Sequence, residues 1–77
     1  MRLTVRGRLE ESQSRLYLKI PGLEKAFRLL GDDNLQALRQ RRGEWRQSVR
    51  IEGVLVEAEG EDATIRVESF QFGDDQG

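Results

Sequence analysis

The sequence predicts an α+β domain in which two β-hairpins enclose a helical segment, in the order ββ-α(α)-ββ. The sheet is expected to be small, antiparallel and strongly coiled, or to close partly into a β-barrel. Three observations predict it. Residues 49–72 alternate apolar and polar side chains around a polar break at Glu59-Gly60-Glu61-Asp62, the pattern of a long hairpin with one face in a core. Residues 2–20 repeat that alternation around Glu11-Ser12-Gln13-Ser14. Between the hairpins the apolar spacing changes from two to that of a helix.

The first strand places Leu3, Val5, Gly7 and Leu9 on one face and Arg2, Thr4, Arg6, Arg8 and Glu10 on the other. The second places Leu16, Leu18 and Ile20 opposite Arg15, Tyr17 and Lys19. Pro21 suits the first turn of a helix, where its missing N–H costs nothing. Leu23, Ala26, Phe27 and Leu30 then fall at i, i+3, i+4 and i+7, predicting a helix over about 22–30 that Gly31 ends in a left-handed cap. Asp32 or Asp33 is expected to cap a second helix carrying Leu35 and Leu38, whose last turn gathers Arg39, Arg41 and Arg42 before Gly43.

In the second hairpin Val49, Ile51, Gly53 and Leu55 form the inward face of the first arm, and Ala63, Ile65 and Val67 that of the second. The two hairpins align. Val5-Gly7-Leu9 matches Ile51-Gly53-Leu55, and Leu16, Leu18 and Ile20 match Ala63, Ile65 and Val67. Either an internal pseudo-symmetry or the common pattern of amphipathic hairpins produces this. In both halves a strand glycine is expected to mark a bulge or a sharp bend. The expected core comprises the inward leucines, isoleucines and valines of all four strands with Leu23, Phe27, Leu30, Leu35 and Leu38. Phe70 and Phe72 sit where the alternation changes phase, so one is expected inside and the other at a partner or an edge.

At 77 residues the chain has room for one domain, expected over 1–72, followed by an acidic tail over 73–77 expected to be disordered. It contains no cysteine and no histidine, so a disulfide, a thiolate nucleophile, a Cys/His zinc site and a His-dependent triad are excluded from this chain alone. No apolar run reaches the roughly 18 residues of a membrane span, and the N-terminus lacks the apolar stretch of a signal peptide; a cytoplasmic location is the expectation. The net charge of −1 hides an uneven distribution: +2 over residues 1–38, +4 over 39–50 and −7 over 51–77. Eleven of the thirteen basic residues are arginine, which suits phosphate pairing, although a high-arginine genome gives the same bias.

Two stretches carry the functional expectation. Residues 39–50 place Arg39, Arg41, Arg42, Arg46 and Arg50 around Trp45, the only tryptophan. That composition suits a phosphate backbone with one stacked base; it equally describes a solvated helix end with Trp45 covering the mouth of the core. The outward face of the first hairpin, Arg6, Arg8, Arg15, Tyr17 and Lys19, interleaves cations and an aromatic as single-strand binders do, or forms cross-strand pairs with facing acids. The acids Glu57, Glu59, Glu61 and Asp62 match no calcium-loop spacing and read as a solvated turn. Ser12, Ser14 and Ser48 have no base beside them, and no glycine-rich phosphate loop is present. An enzyme is not expected, nor is a cofactor or metal.

The hairpins, through Val5-Arg6-Gly7-Arg8-Leu9, Arg15-Leu16-Tyr17-Leu18 and the stretch from Val49 to Phe70, resemble those of OB-fold domains of the anticodon-binding type. The resemblance covers residues 3–20 and 49–70. It implies a nucleic-acid-binding module whose bases stack on the second and third strands, onto which Arg15, Tyr17 and Lys19 map. The sequence departs from the pattern by having no evident third strand before the helix. The expected function is a non-enzymatic binding module for single-stranded DNA or RNA through Arg15, Tyr17, Lys19, Arg41, Arg42, Trp45 and Arg46. The alternative is a small protein-interaction or regulatory subunit, a homodimer among the options, pairing its arginines with acids across an interface.

Overall fold

The computed structural model describes residues 1–56 and 63–73. Five strands, β1 (Arg2–Ser12), β2 (Arg15–Lys19), β3 (Ala26–Leu30), β4 (Val49–Val56) and β5 (Thr64–Phe72), form one mixed sheet that closes in a ring in the order β1-β2-β3-β5-β4. One α-helix, α1 (Asp32–Gln40), and a 3-10 turn, Arg42–Glu44, connect β3 to β4. The expected turn at Glu59–Asp62 and the expected disordered tail, apart from Gly73, lie outside the described residues.

The first hairpin closes through Gln13 and Ser14, both at positive φ (52° and 66°), the backbone of a two-residue type I′ turn. It pairs Arg8 with Lys19 through Ser12 with Arg15. The N-terminal half of β1 pairs instead with β4, from Arg2 opposite Val54 to Gly7 opposite Val49. Gly7 is thus where β1 passes from one partner to the other. β4 and β5 pair along their length with a register shift between Glu52 and Gly53.

The expected helix over 22–30 is a turn and a strand. Leu23 N–H donates to the Ile20 carbonyl at 3.0 Å, and Gly22 has φ of 88°. Proline followed by a positive-φ glycine is the type II turn signature. Pro21 therefore opens a turn rather than a helix. The chain then runs back as β3, pairing Leu18 with Phe27 on one side and, in parallel, Leu29 with Ile65 on the other. The order is βββ-α-ββ, and one of the five pairings is parallel rather than all being antiparallel. α1 and β4 supply the long connection that a parallel pair requires.

Switching that stretch from period 3.6 to period 2 changes which side chains point inward. Leu29, absent from the expected core, is 2% exposed, whereas Leu23 is 51% exposed and Leu30 half-buried. The remaining buried core is Leu9, Leu16, Leu18, Leu38, Val49, Ile51, Ile65 and Val67, with Leu3, Val5, Ile20, Phe27, Leu35, Leu55, Phe70 and Phe72 packed around it half-buried. Both phenylalanines take the same intermediate place, edge to face at 5.7 Å, rather than one inside and one out.

Gly31 begins α1 instead of ending a helix, with its carbonyl accepting from Leu35 N–H at 2.7 Å. Asp32 and Asp33 lie in the first turn, where they favour the positive end of the helix, but neither side chain makes a capping hydrogen bond. Asn34 ties the helix to the sheet by donating Nδ2–H to the Val67 carbonyl at 2.8 Å, and Leu38 seals the core.

The aligned hairpins have the same local geometry. A Cβ on Gly7 would meet the Lys19 carbonyl and Leu18 Cγ; one on Gly53 would meet the Arg66 carbonyl and Ile65 Cγ2. Arg8 faces Lys19 and Leu9 faces Leu18, as Val54 faces Arg66 and Leu55 faces Ile65. These are the partners that the sequence alignment equates.

Candidate nucleic-acid interface

The structure separates the two expected basic stretches by what their cations touch. In residues 39–50 most guanidiniums are already engaged. Arg39 donates to Glu11 Oε2 at 3.4 Å and to the Ser14 carbonyl at 2.8 Å; Arg42 donates to Glu11 Oε1 at 2.8 Å. Arg41 holds Glu44 with two bonds, at 2.6 and 2.9 Å, and lies 4.9 Å from the Phe72 ring centre. Arg50 donates to Gln71 Oε1 at 2.7 Å. Arg46 has no side-chain partner among the described residues.

These contacts perturb the acids. The hydrogen bond from Arg42 is the main cause that holds the Glu11 carboxyl below the usual range; desolvation opposes it, and the hydrogen bond from Arg39 and the charges of both arginines add to the lowering. The hydrogen bond from Arg41 does the same to Glu44, and Glu44 in return raises Arg41. The cluster thus fastens the helix end to the first hairpin.

Trp45 is half-buried against the core, donates Nε1–H to the Leu38 carbonyl at 2.9 Å, and carries the Arg42 guanidinium 4.5 Å from its ring centre. Its position covers one end of the core. The indole also lines a groove, described below, so its covering role leaves part of it facing outward.

The outward face of β2 is different. Arg15, Tyr17 and Lys19 share it, and Tyr17 lies opposite Glu10 of β1 and Arg28 of β3. Arg8 faces Lys19. Arg8, Arg15, Lys19 and Arg28 have no side-chain hydrogen bond or ion pair among the described residues. Arg28 was missed in the sequence because the helical reading of 22–30 gave it no place on a sheet. The Pro-Gly turn signal followed by Ala26-Phe27-Arg28-Leu29-Leu30, with Arg28 between two apolar residues, would have found it.

Arg6 is engaged, donating to Ser48 Oγ at 3.2 Å and to the Gly73 carbonyl at 2.6 Å. Of the expected site residues, then, Arg15, Tyr17 and Lys19 are brought together with Arg8 and Arg28. Arg42 and Trp45 stack on each other beside the 3-10 turn, and Arg41 turns away towards Phe70 and Phe72. Searches against protein-family models, curated proteins and solved structures return no match to this chain.

Proposed function

We propose that this chain is a non-enzymatic, OB-like module that binds single-stranded nucleic acid across the outward face of β2 and β3. The observation that carries the reading is the set of cations Arg8, Arg15, Lys19 and Arg28, none in an ion pair among the described residues, grouped around Tyr17. A cationic face with an aromatic at its centre matches the chemistry of a single strand, whose phosphates need countercharge and whose bases stack on rings. The five-stranded ring with a helix between β3 and β4 supports the OB-like reading, and β3 is a third strand between the first hairpin and the helix.

The interaction-subunit alternative needs arginines that pair across an interface. Arg39, Arg41 and Arg42 find their acids within the chain, so an interface would have to use the cations of the β2 and β3 face, and the aromatic Tyr17 at its centre is what favours a nucleic acid there.

The test is anisotropy of labelled single-stranded DNA and RNA over a range of salt. Four phosphate contacts predict a slope of log K against log salt of about −3. Arg15→Glu with Lys19→Glu should abolish binding without changing the melting temperature, while Arg41→Glu, on the other side of the turn, should leave affinity nearly unchanged. Absence of binding at low salt would reject the reading.

A further inference from the structure

Two grooves lie side by side along β1, and they differ in chemistry. One, of about 460 Å³, is lined by Arg6, Arg8, Gln47 and Ser48 with Gly7, Pro21 and Gly73, and by no acid among the described residues. The other, of about 450 Å³, is lined by Ile20, Leu23 and Trp45, with Arg8 and Lys19 contributing charge and Glu10 the one acid among the described residues. Arg8 and Pro21 belong to both, so the grooves share a wall. Each falls within the usual size of a small-ligand site.

We infer that the pair forms a nucleotide subsite, with a phosphomonoester in the polar groove and its base in the apolar one. The inference rests on the nucleic-acid reading for the path leading to it, because Lys19 belongs both to the β2 face and to the apolar groove.

The polar groove is built for an anion. Arg6 uses Nη1 to donate to Ser48 Oγ and the Gly73 carbonyl, which fixes its planar fork in place. Its remaining N–H groups are free of those bonds, and a guanidinium carries five donors in all. Arg8, with no side-chain partner among the described residues, supplies a second fork on the same wall. Two guanidiniums, an amide and a hydroxyl match a group with three acceptor oxygens and a charge near −2, and they match it better than a singly charged diester.

The apolar groove is built for a flat ring. Its indole is anchored at Nε1 by the Leu38 carbonyl and held by Arg42, so it is ordered before a ligand arrives. Leu23, 51% exposed, lines the same groove. Glu10 repels phosphate from this side and so sets the orientation: phosphate towards Arg6, base towards Trp45.

The experiment uses the intrinsic fluorescence of Trp45 and the full chain. Adenosine 5′-monophosphate, adenosine 3′-monophosphate, adenosine and inorganic phosphate are titrated separately. In parallel, anisotropy compares single strands that end in 5′-phosphate, 3′-phosphate or hydroxyl. At least one monophosphate should perturb Trp45 and bind about tenfold or more tightly than adenosine. The matching strand end should gain a similar factor over the hydroxyl end, which identifies the end that the subsite takes. Arg8→Gln and Leu23→Asp, both at exposed positions, should each remove that gain while melting like the parent.

If strands bind but terminal phosphate adds nothing, the inference fails and the nucleic-acid reading stands. Binding of a monophosphate that depends on Arg8, with no binding of strands, keeps the subsite and rejects the strand path. Equal binding of adenosine and both monophosphates overturns the subsite, and silence with every ligand overturns both readings.

Discussion

Replacing Gly53 by alanine tests the way the ring closes. A Cβ at this position would stand 2.9 Å from both the Arg66 carbonyl carbon and Ile65 Cγ2, with the Arg66 carbonyl oxygen nearer still. Carbon atoms pack best at about 3.5–4.0 Å and the carbonyl oxygen is the limiting contact, so β4 and β5 must separate by roughly 1 Å or more. Forcing a methyl into a packed site costs about 1–3 kcal/mol, and stretching one ladder hydrogen bond adds about 1 kcal/mol. Against this, alanine restricts the unfolded chain by about 0.4–1 kcal/mol. The net loss is about 1–4 kcal/mol, out of the roughly 4–12 kcal/mol expected for a domain of this size. For a small domain that lowers the melting temperature by about 4–30 °C. The assay is thermal and urea denaturation followed by circular dichroism. Gly7→Ala, whose Cβ would lie 3.0 Å from the Lys19 carbonyl carbon and 3.2 Å from Leu18 Cγ, should lose a comparable amount. Gly43→Ala, with nothing within 4 Å, is the control and should melt at or slightly above the parent. A Gly53→Ala protein melting within about 2 °C of the parent would refute the close approach and, with it, the shared register of the two hairpins.

Two further outcomes follow from the core and from the acids. Leu29→Ala should cost about 2–5 kcal/mol because the side chain is 2% exposed, while Leu23→Ala should fall within about 0.5 kcal/mol of the parent; the reverse result would restore a helix over 22–30. Glu11 and Glu44 are held below the usual carboxylate range, so the stability their ion pairs contribute is present above about pH 4.3 and is lost as pH falls through their lowered values. Glu11→Gln with Glu44→Gln should therefore be less stable than the parent at neutral pH and equal to it in acid. A deficit that is independent of pH would show that the pairs do not act through charge.

The four strands of the two hairpins were legible because each has one face in a core, and a half-buried strand writes its own period into the sequence. β3 was not, for a local reason. Its Ala26, Phe27 and Leu30 fit, with Leu23, a helical stripe as well as a strand. The decisive signal lay in the turn, since Pro21-Gly22 specifies a type II backbone whatever follows. The same error hid Arg28 and left the candidate face without its second strand. Arg41 and Arg42 drew attention for the opposite reason. Sequence density of arginine carries no information about where the acids are, and Glu11, some thirty residues away in the chain, comes to Arg39 and Arg42 only through the fold.

The matched glycines bear on why the cations collect on one face. At Gly7 and Gly53 the absent side chain lets a neighbouring carbonyl come close, and in each hairpin that carbonyl belongs to a cation, Lys19 or Arg66. The residue beyond is a core side chain, Leu18 or Ile65, so alternation turns the cation outward in both cases. β3 sits between the two hairpins, with Ala26 beside Lys19 and Leu30 beside Arg66, and Arg28 lies midway between them in its own strand. Lys19, Arg28 and Arg66 thus run diagonally across β2, β3 and β5. A structural role would call for facing acids to offset three cations on adjacent strands, yet none of the three forms an ion pair among the described residues. Three cations without an ion pair among the described residues repel one another at some cost to folding stability, and an anionic ligand lying along that diagonal would relieve it.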